Sequence, residues 1–136
     1  MRYILDVNAL IALGLIQHEF HQQIVTWVRR VAKNGIPELL TCSITELGFV
    51  RVLGQAQQYG FSLIRARDLL TRLKAGDRFR LNFIPDTHDI SYLPKWVRLP
   101  KQMTDGHLIE LARANDAMLA TFDRGIPGGF LISTDR

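Results

Sequence analysis

Short apolar runs alternate along this chain with longer stretches of helical period, and that alternation leaves few folds open. Tyr3-Ile4-Leu5 is the first such run, and it ends abruptly at Asp6. Glu38 to Cys42, Leu81 to Ile84, Met118 to Thr121 and Phe130 to Ile132 read as four further strands. Between them the spacing predicts helices over Asn8 to Ile16, Glu19 to Lys33, Ser43 to about Leu53, Ser62 to Lys74 and Asp105 to Asn115. Phe20, Ile24, Trp27, Val28 and Val31 mark the inward face of the second helix, and Ile44, Leu47, Val50 and Leu53 that of the third. Asn34-Gly35 is expected to stop the second helix, and Thr104 to cap the last. Asp86 to Lys101, with Pro94 and Pro100, reads as a loop with a single helical turn. Apolar strands alternating with helices predict a parallel sheet covered on both faces, a three-layer α/β domain. No repeat, linker or low-complexity tract divides the chain, so residues 1–136 read as one domain.

Composition narrows the function classes. The lone Cys42 excludes an internal disulfide framework and every multi-cysteine zinc site, and it fits a reducing compartment. Tyr3 to Ile16 is largely apolar behind Arg2, yet Asp6 and Asn8 interrupt it. An Asp at a membrane helix centre costs about 2.5–3.5 kcal/mol, and no uninterrupted apolar run approaches the ~20 residues a span requires. The expectation is a soluble cytoplasmic protein. Lys and Arg total 17 against 13 Asp and Glu, a net +4 that suits solubility and also a polyanionic partner.

Ligands of open parallel sheets bind beyond the carboxyl ends of the strands, and four acids pass that filter. Asp6 follows the first strand directly, and Asp123 follows the fourth with only Phe122 between. Glu46 falls in the first turn of the helix after the second strand, and Asp105 opens the helix leading into the fourth. Carboxylates gathered this way repel unless a cation sits among them. An all-oxygen donor set suits Mg²⁺ or Mn²⁺ rather than zinc, and such a site is built for phosphate ester chemistry. Each acid also has a plainer reading. Ser43-Ile44-Thr45-Glu46 fits a capping box in which Glu46 bonds back to the Ser43 amide. Asp105 suits a helix dipole, and Asp123 before Gly125 suits a turn. Asp6 is the hardest to explain structurally, because it lies between an apolar strand and an apolar helix.

Ile4-Leu5-Asp6-Val7-Asn8-Ala9-Leu10 resembles the opening motif of PIN-domain ribonucleases, especially the VapC-type toxins of bacterial toxin–antitoxin pairs. Thr104-Asp105-Gly106-His107-Leu108 resembles their third motif, and Ala120-Thr121-Phe122-Asp123-Arg124-Gly125 their last, while Glu46 matches the second. Each motif alone is weak; the ordered set spans nearly the whole chain. The resemblance implies a five-stranded parallel sheet in the order 3-2-1-4-5 and Mg²⁺- or Mn²⁺-dependent endonucleolytic cleavage of RNA. It carries over Asp6, Glu46, Asp105 and Asp123 as the catalytic, metal-holding acids, with Asn8, Thr104 and Thr121 orienting carboxylates or waters. It also implies a cognate antitoxin and a homodimer or dimer-based hetero-oligomer. Gly106 stands where Ala is commoner in the family, and only Arg124 to Gly129 separates Asp123 from the last strand, where a longer segment is usual.

Arg65, Arg67, Arg72, Lys74, Arg78 and Arg80 crowd one segment and read as RNA-phosphate contacts or as a solvated face. Arg51 and Arg124, near the acids in sequence, join Arg72 and Lys74 as candidate RNA contacts. His18 and His21 read as surface residues, His107 receives no role, and Trp96 and Tyr92 read as packing rather than base-stacking residues. Competing functions are a degenerate PIN-like binding module, a Mg²⁺-dependent phosphatase and a phosphoacceptor domain. Asn8 stands where a haloacid-dehalogenase-type phosphatase needs a second Asp. Asp86 could mimic a phosphoacceptor, but Asp6 has no acidic neighbour.

Overall fold

A computed structural model of the chain describes residues 1–32, 35 and 37–133. Five strands, β1 (Arg2–Leu5), β2 (Glu38–Thr41), β3 (Leu81–Phe83), β4 (Met118–Thr121) and β5 (Phe130–Leu131), build its frame. They form a single sheet in the order β3-β2-β1-β4-β5, with every pair parallel. Ile4, Leu5, Leu40, Leu119 and Ala120 are completely enclosed. A strand covered on both faces has no polar side to show, which is why these read as unbroken apolar runs.

Helices α1 (Val7–Gly14), α2 (His21–Val31), α3 (Ser43–Gln55), α4 (Leu63–Ala75) and α5 (Met103–Ala114) supply the outer layers. Leu10, Leu13, Ile24, Trp27, Phe49 and Leu53 from α1, α2 and α3 pack against one face of the sheet. Leu108, Leu111 and Ala112 of α5 cover Ile4, Leu40 and Leu119 on the other. The expected α/β architecture and strand order are therefore both present. Among the described residues, no helix is long and apolar enough to cross a membrane.

Several boundaries differ from the sequence reading, each for a local reason. The first helix begins at Val7 because Asp6 itself serves as its N-cap, and it ends at Gly14 rather than Ile16. The second runs from His21 to Val31; the expected end at Lys33 and stop at Asn34 lie outside the described residues. Cys42 leaves β2 to become the N-cap of α3. On α3 the inward face is Thr45, Phe49 and Leu53, while Leu47 is 66% exposed. Gly48 explains the rotation: a Cβ there would sit 2.5 Å from Cγ2 of Val7, so α1 approaches α3 along this edge. Thr104 does not cap α5. Gln102 accepts the Arg98 and Leu99 amides at 2.8 and 3.0 Å, folding Pro100–Gln102 into a 3-10 turn that starts the helix at Met103. The loop before it holds a further 3-10 turn, Ile90–Tyr92.

Candidate active site

β1 and β4 are neighbours, so the residues that follow them emerge side by side. Asp6 turns the chain from β1 into α1, and its Oδ1 accepts the Ala9 amide at 2.8 Å. The Thr121 hydroxyl, at the end of β4, donates to the Asp6 carboxylate. The same oxygen, Oγ1, accepts the Asp123 amide at 3.0 Å. One buried threonine thus joins the two acids. Asp123 is exposed, and its Oδ1 accepts the Gly125 amide at 2.8 Å, shaping the turn beyond β4. Asp105 enters from the first turn of α5.

These three acids feel one another. Burial pushes the Asp6 carboxyl above the ordinary range, against the lowering bonds from Thr121 and Ala9, and the negative Asp123 adds to the rise. Burial also raises Asp105, followed by the negative charges of Asp6 and Asp123. Carboxyls raised by like charge and desolvation are what a cation among them would relieve.

Glu46 stands apart from this trio and is not among the charges acting on Asp6 or Asp105. It does not form the capping box that its spacing allows. Because Cys42 holds the cap position, Thr45 is the residue that closes the box, its Oγ1 accepting the Cys42 amide at 3.0 Å. Glu46 is left to meet Thr41 and Lys74 instead, at 2.5 and 2.7 Å. Among the described residues, no three His, Cys, Asp or Glu side chains are grouped to clasp one ion directly.

No family model matches the chain. Individual relatives do. Over 128 residues the chain is 38% identical to Ribonuclease VapC38 of Mycobacterium tuberculosis strain H37Rv, a match covering 90% of this chain and 86% of that protein. Ribonuclease VapC44 of the same organism is 38% identical over 133 residues, covering 93% and 89% respectively. Ribonuclease VapC29 is 32% identical over 127 residues with the same coverage. The chain belongs to the VapC ribonuclease family.

The remaining candidate residues of this VapC-family chain are placed unequally. Asn8 is exposed in the first turn of α1, and its Oδ1 lies 3.0 Å from His18 Nε2. Thr104, next to Asp105, is exposed in the first turn of α5. Arg124 follows Asp123 in the exposed turn, and Arg51 lies on the exposed side of α3. The basic segment does not form one face. Arg72 pairs with Asp68, Lys74 with Glu46, and Arg65 and Arg78 lie over the rings of Phe61 and Phe79. Arg80 sits beside Met1, Arg2 and Glu38, at the start of the strands rather than their ends.

An apolar groove of about 820 Å³ runs between α3 and α4, lined by Leu47, Val50, Leu63, Leu70 and Phe83. It touches the acidic residues only through Glu46.

Three features escaped sequence reasoning. His21 is buried, with Nδ1 2.7 Å from the Ala12 carbonyl, so it ties α2 to α1 rather than facing water. His107 pairs with Asp86, whose other oxygen accepts the His88 amide at 2.9 Å. That cluster occupies the residue that a phosphoacceptor reading would need free. Tyr92 is 52% exposed and stacks on His88 at 4.0 Å, whereas Trp96 packs on the core as expected. The histidine spacing and the lone Asp86 gave no local signal for these partnerships.

Proposed function

We propose that residues 1–136 act as one PIN-like domain, a Mg²⁺- or Mn²⁺-dependent endoribonuclease and the toxin of a toxin–antitoxin pair. The observation that carries this reading is the shared negative field of Asp6, Asp105 and Asp123, with Thr121 joining Asp6 to Asp123. The names of the relatives, all ribonucleases, point the same way. In this reading Asp6, Asp105 and Asp123 hold the cation, and Glu46 completes its shell or orients the attacking water. The acids fit it: Mg²⁺ keeps several waters and takes only one or two carboxylates directly, so no closed cage is required. When bound, the ion supplies an activated water and neutralises charge on the phosphoryl oxygens.

The chain's own residues do the positioning. Thr121 fixes the Asp6 carboxylate and the turn that carries Asp123. Asn8 and Thr104, both exposed beside the acids in sequence, orient waters or substrate oxygens. Arg51 and Arg124 are the candidate phosphate contacts, with Arg72 more remote through its Asp68 partner. In-line hydrolysis leaves a 5′-phosphate and a 3′-hydroxyl. The same reading gives the chain a cytoplasmic setting, an antitoxin partner and a homodimer or dimer-based hetero-oligomer. Exposed Leu47, Leu63 and Ile64 support a protein partner.

Cleavage of a pooled RNA by the purified chain, with Mg²⁺ or Mn²⁺ against EDTA, tests the proposal. Metal-dependent cuts ending in 5′-phosphate, and absent from Asp6→Asn, are expected. Cutting that persists in that variant contradicts the assignment.

A further inference from the structure

The Glu46 carboxylate meets two donors, and both take the same oxygen. Thr41 Oγ1 donates to Oε2 at 2.5 Å, and Lys74 Nζ stands 2.7 Å from that same atom. No residue among those described bonds to Oε1. The two donors come from different layers. Thr41 is the last residue of β2 and is fully buried, whereas Lys74 lies in the last turn of α4. Its ammonium also lies over the Phe83 ring, 5.6 Å from the centre, where β3 ends.

A lysine serving RNA phosphates would keep its long stem free to follow them. This one is turned inward onto an acid, and its side chain is two-thirds covered. We propose that Lys74 is a positioning residue for Glu46: together with Thr41 it pins Oε2, so that Oε1 alone is presented for use. The inference rests on Glu46 being a working member of the acidic site. It also moves Lys74 out of the set of RNA contacts. The cation offsets the Glu46 charge, and its hydrogen bond fixes a side chain that otherwise rotates about three bonds.

The test uses the full chain, a fixed RNA pool with Mn²⁺, and the variants Lys74→Met, Lys74→Arg, Thr41→Val and Glu46→Gln. Rates are measured against RNA concentration, and RNA affinity is measured separately in the Asp6→Asn background across a salt series. Lys74→Met should lower the maximal rate about tenfold to a hundredfold, as loss of an orienting partner does, with RNA affinity changed less than about twofold. Lys74→Arg should recover most of the rate, and Thr41→Val should show the same signature as Lys74→Met. The Lys74→Met/Glu46→Gln double variant should be no slower than Glu46→Gln alone, because the lysine acts through the glutamate. An intact maximal rate with weaker RNA binding, and a salt slope reduced by about one, would make Lys74 a phosphate contact and overturn the inference. Wild-type behaviour of Lys74→Met overturns it as well while Glu46→Gln is inactive. A fully active Glu46→Gln instead removes the reading of Glu46 beneath it.

Discussion

His18 Nε2 stands 3.0 Å from the side-chain oxygen of Asn8, and this bond ties the loop between α1 and α2 to the first turn of α1, just past Asp6. The other ring nitrogen, Nδ1, accepts the Phe20 amide at 3.0 Å, so the ring proton belongs on Nε2 and is donated to Asn8. The Asn8 amide nitrogen is thereby turned away from His18. Phe20 in turn stacks on Phe122, the residue before Asp123, at 4.7 Å.

This arrangement predicts that His18→Ala slows RNA cleavage about tenfold while leaving the fold intact, because it releases an orienting residue and not an acid. Burial holds the His18 ring below the ordinary histidine range, so it is neutral near pH 7. Acid that protonates Nδ1 breaks the Phe20 bond, so the stability this ring supplies is present above pH ~6.5 and lost as pH falls through the lowered value. Rates for wild type and His18→Ala that converge in mild acid would match this. Identical rates at pH 8 would refute it.

Asp6→Asn should abolish cleavage without loss of thermal stability. Asparagine caps a helix as well as aspartate does, so the Ala9 bond survives, and the repulsion with Asp123 and Asp105 is relieved. The sign with pH follows from raised carboxyls. A group raised in the folded state stabilises below its unfolded value, and that contribution is lost as pH rises through the folded value. The advantage of Asp6→Asn should therefore be largest near neutral pH and shrink toward pH ~4. Thermal melts at the two pH values check it, and a variant that is less stable at neutral pH contradicts it.

Divalent cations should raise the melting temperature of the wild-type chain. An ion at about a hundred times its Kd adds about 2.7 kcal/mol to the folded state. Asp105→Asn and Asp123→Asn should each blunt the shift, since both carboxyls belong to the same negative field. A melting point blind to millimolar Mn²⁺ would remove the cation from the proposed function.

Gly106 should resist even alanine. A Cβ there would sit 2.3 Å from Cγ2 of Val97 and 3.3 Å from the ring of Pro94. Gly106→Ala should cost about 1–3 kcal/mol, the usual penalty of an overpacked contact. Adding Val97→Ala should restore part of it, and urea unfolding of the two single variants and the double measures the coupling. The bare Cα of Gly106 is thus matched by the segment folded over it.

Much of the fold was legible because the enclosed middles of the central strands are apolar, as Ile4-Leu5 and Leu119-Ala120 illustrate. Asp6 and Asp123 could be singled out for a related reason, since each falls just past an apolar strand, and Asp105 because it lies in the first turn of a helix. Glu46 was ambiguous because a one-residue shift of the cap, from Ser43 to Cys42, decides whether it closes the capping box or turns to Thr41 and Lys74. On α3 Leu53 is buried and Ile44 and Val50 pack on the core as expected, but Leu47 was misplaced because Gly48, which carries no hydrophobic signal, sets how α1 packs. The Asp86–His107 pair spans 21 residues and the Glu46–Lys74 pair joins two helices, so neither leaves a local pattern.

The place of β1 at the centre of the sheet has a temporal consequence. It pairs on one side with β2, made soon after it, and on the other with β4, which begins only at Met118. A growing chain therefore carries Asp6 and Glu46 long before Thr121 and Asp123 exist to join them. Non-local pairing of this kind forms late, so in the proposed nuclease harm to RNA is deferred until β4 and Asp123 have been made, and a chain ended before them is born inert.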